Sequence, residues 1–272
     1  MNINKLDKEA VISAYDVEDW GSLPNFAGNF INFGYWQNIL AQKDTRPLTL
    51  GERIQSSYDM YKKIAEYLNI SPSDTVLEVG SGRGVGTVYI AKTYHPKNIV
   101  GIDMTPSQIK TALKITSQNI LHDFNIQFLC LDAEGSNIGT DLFDKIYSIE
   151  IFQHILSIDK ALLNIYNALK KNGTLVISTY FLTEQKNDEE IKKLFPLAQT
   201  KQEYPISIDE LYESLNENLF KDIEIIKIGD AVFHGYEKWI TQERVDTSLS
   251  HRYYDNYCTG DLDYYVIKAT KR

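Results

Sequence analysis

Short apolar runs alternating with amphipathic segments, a glycine-rich turn directly behind the first run, and two late β-rich runs divided by a long excursion predict an α/β fold. It is a Rossmann-like, doubly wound, mostly parallel seven-stranded sheet with an antiparallel C-terminal edge and an N-terminal helical lid. The first five runs are TVLEV (75–79), NIVGI (98–102), IQFLCL (126–131), FDKIYSI (143–149) and GTLVISTYF (173–181). Each is short and rich in β-branched residues, as strands covered on both faces are. Strand–helix–strand repetition at this spacing implies right-handed crossovers and parallel neighbours.

Taken in order, residues 1–51 have weak periodicity and an aromatic cluster at Phe30, Phe33, Tyr35 and Trp36. Residues 52–69 read as a helix whose apolar side repeats at Ile54, Tyr58, Tyr61, Ala65 and Leu68. After the second run, Thr105 can cap a helix, Pro106 suits its first position, and Gln108 can reach back as a capping box. Ser157 opens another helix through Ala161, Leu162, Ile165, Ala168 and Leu169, with Gly173 soon after its end. A polar helical stretch follows Phe181. A second capping box, Ser207 to Glu210, precedes Leu211, Leu215 and Leu219. DIEIIKI (222–228) and DYYVIKA (263–269) read as the last strands, with a helix over 232–247 between them. The organisation expected is a lid over 1–51 and one domain over 52–272. Its core is 52–180, and acceptor-side insertions and the last strands occupy 181–272.

Composition narrows the function. A hydrophobic fraction of 43% is too high for a disordered chain. No run approaches the ~18 apolar residues of a spanning helix, so no membrane partner is expected. With 28 basic against 37 acidic residues the net charge is −9, which argues against wrapping nucleic acid. Cys130 and Cys258 form no CxxC and no metal pattern. A long-range disulfide is the alternative to two separate thiols in a reducing cytosol. The first twenty residues carry acids and no apolar stretch of signal type, so a cytoplasmic protein is expected.

The strongest local signal is VLEVGSGRGVG (76–86), a strand running into a glycine turn that opens a helix. Glycines there let a ligand approach the backbone, and a tight turn without a ligand is the plainer alternative. A dinucleotide fingerprint needs GxGxxG. Here Gly80, Gly82 and Gly84 alternate, and positions 85 and 87 are Val and Thr, so neither register satisfies it. Glu78 would sit poorly beside a pyrophosphate and well beside a positive centre, which favours S-adenosylmethionine over NAD.

With the acid of Glu78 followed by GxGxG, this stretch resembles the first motif of class I S-adenosylmethionine-dependent methyltransferases. Asp103 directly follows the second run, ending VGID 23 residues past Gly80, where the family binds the ribose hydroxyls. The resemblance places Met104 against the adenine, Gln108 at the cofactor, and Asp132 and Ala133 near the adenine amino group. Asp144, Ser148, Glu150, Gln153 and His154 match its fourth-strand segment, and 168–175 resembles its turn before strand five, with Asn172 for a glycine. The resemblance covers about residues 52–180. Asn29 to Trp36 is similar to a segment of small-molecule methyltransferases of the rifamycin and sugar O-methyltransferase type, in which Tyr35 and Trp36 would close the cofactor site. Ordinary packing of that segment on the core is the alternative. Some of those enzymes place an acid at the end of strand five; here Thr179-Tyr180-Phe181 stands there, leaving Tyr180 as a polar partner.

His154 lies past the fourth run, at the edge where ligands bind in such sheets, and is the candidate base. The plainer readings, which together outweigh it, are a histidine satisfying a helix terminus or one that simply contacts the cofactor. His234 and His251 are weaker candidates in the late segment, while His95 and His122 fall at the periphery. Tyr236, Trp239, Tyr253, Tyr254 and Tyr257 line an acceptor pocket or form core beneath the excursion. With His234, Tyr180, Tyr236 and Trp239 make up the expected acceptor wall.

These readings converge on methyl transfer from S-adenosylmethionine to a small-molecule acceptor, most simply O-methylation of a secondary metabolite. A homodimer is compatible with it. The rivals are a protein or RNA methyltransferase and a cofactor-binding module without turnover; an NAD-dependent oxidoreductase is disfavoured by Glu78 and GxGxG.

Overall fold

The computed structural model describes residues 5–17, 25–41, 46–118, 124–245 and 248–272. His122, parts of the 1–51 segment and the last two residues of the 232–247 helix lie outside them. The strands are β1 (Thr75–Val79), β2 (Asn98–Asp103), β3 (Ile126–Cys130), β4 (Phe143–Ile149), β5 (Leu169–Leu182), β6 (Phe220–Lys227) and β7 (Leu262–Lys271). They form one seven-stranded sheet in the order β3-β2-β1-β4-β5-β7-β6. The first five are parallel, and β7 runs antiparallel to both β5 and β6. The antiparallel edge therefore arises by inserting the last strand inside the sixth. Strand β5 begins four residues before the expected Gly173, because Leu169 pairs with Phe143 ahead of an irregularity in the ladder.

Helices cover both faces; besides those placed below, the described residues form α2 (Gln37–Leu40), α4 (Val85–Tyr94), α5 (Pro106–Gln118), α7 (Asp188–Leu194) and α8 (Pro196–Gln199). On one lie α3 (Leu50–Leu68) and α10 (Gly229–Gln242), packed with Trp36, Met60, Ile64, Tyr147 and Val176. On the other lie α6 (Ile158–Ala168) and α9 (Ile208–Glu217), packed on Leu77, Ile146, Leu162 and Leu175. The box Ser207–Glu210 caps α9 as expected, and Thr49 with Glu52 forms another on α3. The box expected at Thr105 does not form. Asp103 Oδ1 accepts from the Thr105 amide (2.8 Å), and the Gln108 side chain donates to the Tyr15 carbonyl instead (2.6 Å). The late excursion holds two helices, α10 and α11 (Ser248–Thr259). The N-terminal helix α1 (Lys8–Tyr15) is capped by Asp7. No helix among the described residues is long and apolar enough to cross a membrane.

Candidate active site

Four loops at the carboxyl ends of β1 to β4 surround one cavity, the place where open α/β sheets bind ligands. The β1 loop is fixed from behind: the amides of Gly80 and Ser81 both donate to the Ile102 carbonyl (2.8 and 2.9 Å). Gly80 has φ of 79°, and a Cβ there would overlap Ile151. Asp103 closes the turn by accepting from the Gly82 amide at Oδ2 (3.0 Å) and the Thr105 amide at Oδ1. Burial holds its carboxyl above the usual range against these two amides.

Of the residues expected at the cofactor, Gly80, Gly82, Asp103, Met104, Gln108, Asp132, Ala133 and Glu150 line this cavity, and His154 does too. Four do not. Glu78 is 1% exposed and shares the face of β1 that carries Val76, the face turned toward α3. Its carboxylate accepts from Tyr61 and Tyr147 (3.0 Å each) and from Thr87, so it braces the strand beneath the loop. Tyr35 and Trp36 are core; the cavity wall is built instead by Asn29 to Asn32, just before them. Gly84 lies at the N-cap of α4 (Val85–Tyr94), where a Cβ would strike Phe128 and Ala112.

Residues that the sequence reading did not single out complete the wall. Val11 and Tyr15 come from α1, which is tied down by Lys8 to Asp132 (2.6 Å) and by the Gln108 bond to the Tyr15 carbonyl. Arg83 holds Asn29 Oδ1 (2.7 Å) and the Val17 carbonyl (3.0 Å). A run of eight residues with mixed polarity gave no sign that it would reach the far side of the fold.

The structure fits S-adenosylmethionine here. Asn32 Oδ1, Ser81 Oγ and Gln108 Oε1 are buried on this wall without a hydrogen-bond partner among the described residues, an arrangement that favours a polar ligand. Asp103 at the strand end offers its remaining lone pairs, and the glycine loop leaves room for the ligand.

A second cavity adjoins the first and shares Tyr15, Ile31, Glu150 and His154 with it. Tyr180, Tyr236 and Tyr253 line it. Trp239 is core, and His234 lies on the surface facing Tyr254 (3.1 Å) and Asp230 (3.4 Å), so neither lines either cavity. His251 pairs with Glu237 (2.8 Å) away from both cavities.

His154 sits in a 3-10 turn (Phe152–His154) just past β4. Its Nδ1 faces the Gln202 carbonyl at 2.7 Å, which assigns the ring proton to Nδ1. Nε2 is then an acceptor, 2.8 Å from the Tyr15 hydroxyl and 3.2 Å from Gln153 Nε2. Burial pulls its pKa down to about 4, so the imidazole is neutral at neutral pH. Glu150, with φ of 55°, accepts from the Phe33 amide (2.8 Å) and the Tyr264 hydroxyl (2.9 Å), and burial raises its pKa to about 7. Glu203 lies between Tyr180 and Tyr253, and no feature of its polar surroundings in the sequence marked it. Its Oε2 accepts from the hydroxyls of both tyrosines. Among the described residues no cluster of metal-ligating side chains occurs.

Several known proteins are similar to this chain. Erythromycin 3''-O-methyltransferase of Saccharopolyspora erythraea is 27% identical over 269 residues, covering 90% of this chain and 84% of that protein. O-methyltransferase resE of Aspergillus sclerotiorum is 28% identical over 212 residues, covering 77% and 75%. Geranyl diphosphate C-methyltransferase from Streptomyces coelicolor A3(2), solved with S-adenosyl-L-homocysteine, matches the fold with a TM-score of 0.80 at 13% identity, over 97% of both chains. A family model described as a methyltransferase domain matches residues 70–219, more than half the sequence, and spans the glycine loop, Asp103 and His154. The chain therefore belongs to the methyltransferase-domain family.

Proposed function

We propose that the protein transfers a methyl group from S-adenosylmethionine, held in the first cavity, to a hydroxyl of a small molecule held in the second. The observation that carries this reading is His154, a neutral imidazole on the wall of both cavities with its acceptor nitrogen turned to Tyr15. The relatives named as O-methyltransferases support it. The concave, aromatic lining of the second cavity favours a small acceptor over a protein or RNA strand.

When bound, S-adenosylmethionine supplies a methyl group activated by its sulfonium charge. Asp103 would accept from the ribose hydroxyls, the orphaned Asn32 Oδ1 and Gln108 Oε1 would accept from the cofactor's N–H or O–H groups, and Ser81 Oγ could donate or accept. The Gln202 carbonyl fixes the His154 ring so that Nε2 receives a proton, and Tyr15 relays that proton from the acceptor hydroxyl. A pKa near 4 makes this a weak base, suited to taking the proton only as the new C–O bond forms. Cys130 and Cys258, both free and exposed, support a reducing, cytoplasmic setting.

The test is transfer of labelled methyl across a panel of hydroxylated metabolites, followed by His154→Ala on whichever is methylated. A fall in kcat of roughly 10²–10⁴ with unchanged S-adenosylhomocysteine affinity is expected. A fully active variant removes His154 from the chemistry, and absence of any transfer with intact cofactor binding favours the module without turnover.

A further inference from the structure

Glu203 is 1% exposed, yet it lies on the wall of the second cavity. Its backbone is locked beside the base: the preceding carbonyl, of Gln202, accepts from His154, and the following amide, of Tyr204, donates to Gln153 (2.7 Å). Two hydroxyls, from Tyr180 on β5 (2.6 Å) and Tyr253 on α11 (2.9 Å), both bond Oε2. No hydrogen bond among the described residues reaches Oε1. One oxygen is thus held from behind while the other remains for a ligand.

The charge balance has the same direction. No Lys or Arg among the described residues lines this cavity. Glu150, the other carboxylate there, feels the charge of Arg53 and accepts two hydrogen bonds. Glu203 feels no cation, and burial opposed only by the two tyrosines pushes its pKa up to about 7. A buried carboxylate without a counter-ion is costly. Around it stand Phe33, Tyr180 and Tyr253, with ring centroids 5.1–6.0 Å apart. Aromatic walls with one carboxylate are the usual surroundings of a bound ammonium.

We infer that the acceptor carries a protonated amine, seated on Glu203 Oε1 among these rings, while its hydroxyl faces Tyr15 and His154. The inference rests on the methyl-transfer reading and adds to it the acceptor class: hydroxylated amines rather than neutral polyols, acids or phosphates. Glu203 then determines specificity and leaves the chemistry to His154.

The experiment uses the full chain saturated with S-adenosylhomocysteine, titrated by ligand-observed NMR or calorimetry with tyramine and with 4-ethylphenol. These share a phenol ring and differ by the ammonium. Tyramine is expected to bind at least tenfold more tightly. Glu203→Gln is expected to abolish that preference and leave S-adenosylhomocysteine affinity unchanged, which also reports that the variant is folded. Equal or tighter binding of 4-ethylphenol, binding of neither probe, or a preference that survives in Glu203→Gln overturns the inference. The comparison of the two probes on the unmodified protein decides the matter even if the variant fails to fold. Failure to bind S-adenosylhomocysteine would overturn the methyl-transfer reading as well, whereas tight S-adenosylhomocysteine binding with no ammonium preference overturns this inference alone.

Discussion

Glu78 and Asp103 are two acids near strand ends with opposite fates. Asp103 is the last residue of β2 and opens onto the first cavity, while Glu78 is one residue short of the end of β1 and points at α3. Composition and spacing show both acids, but not the phase of β1 against its neighbours, and a one-residue change of phase moves a side chain to the other face. Burial raises the Glu78 carboxyl from 4.5 to about 7, against three hydroxyl donors. Between those values the unfolded chain releases a proton that the folded chain keeps, so this group's contribution falls as pH rises from 4.5 to 7. Glu78→Gln has no such titration. Its stability relative to the unmodified protein is expected to improve across that window, by up to roughly 3 kcal/mol. Urea denaturation at several pH values measures this, and Glu150 and Glu203 cancel in the difference. Parallel stability profiles would refute the buried role, and a large loss of S-adenosylhomocysteine affinity would return Glu78 to the ligand.

At the scale of elements, the capped helices and short β-branched runs were legible because their signals are local. Residues 207–210 and the runs at 75–79 and 143–149 appear where the pattern puts them. The aromatic segment after Asn29 was legible as important and misread in role. Trp36 is 0% exposed; its Nε1 donates to the Phe33 carbonyl (2.8 Å), and its ring lies so close to Gly235 of α10 that a Cβ there would overlap it. The segment thus clamps α3 to α10, and the residues before it reach the cavity. Trp36→Phe removes the donor and part of the ring, so stability should drop by about 1–3 kcal/mol. The affinity of the folded protein for S-adenosylhomocysteine should stay within about twofold, since phenylalanine preserves the path of residues 29–32. Thermal melts beside calorimetry separate the two effects. An unchanged melt with a collapsed affinity would place Trp36 at the ligand after all.

On the scale of the whole molecule, the sheet provides one wall of the first cavity and α1 provides another. Lys8 bonds Asp132, Gln108 bonds the Tyr15 carbonyl, and Arg83 bonds the Val17 carbonyl, each joining parts of the chain far apart in sequence. The 202–204 segment likewise crosses to the 153–154 turn. Such contacts leave no periodic trace, because either partner alone is an ordinary polar residue; this is why Tyr15 and Glu203 were hidden while Asp103 and the glycine loop were not. A ligand in the first cavity touches α1, β1, β2 and the turn after β4 together, so its binding energy is shared by the entire fold. S-adenosylhomocysteine at one hundred times its Kd is expected to stabilise the protein by about 2.7 kcal/mol. For a chain of this size that is a rise in Tm of roughly 5–10 °C. NAD is expected to give no shift, because the GxGxG turn lacks the third glycine position of the dinucleotide fingerprint. A thermal-shift titration with both ligands decides it: a shift with NAD alone would transfer the cavity to another cofactor, and a shift with S-adenosylhomocysteine alone ties the site to methyl transfer.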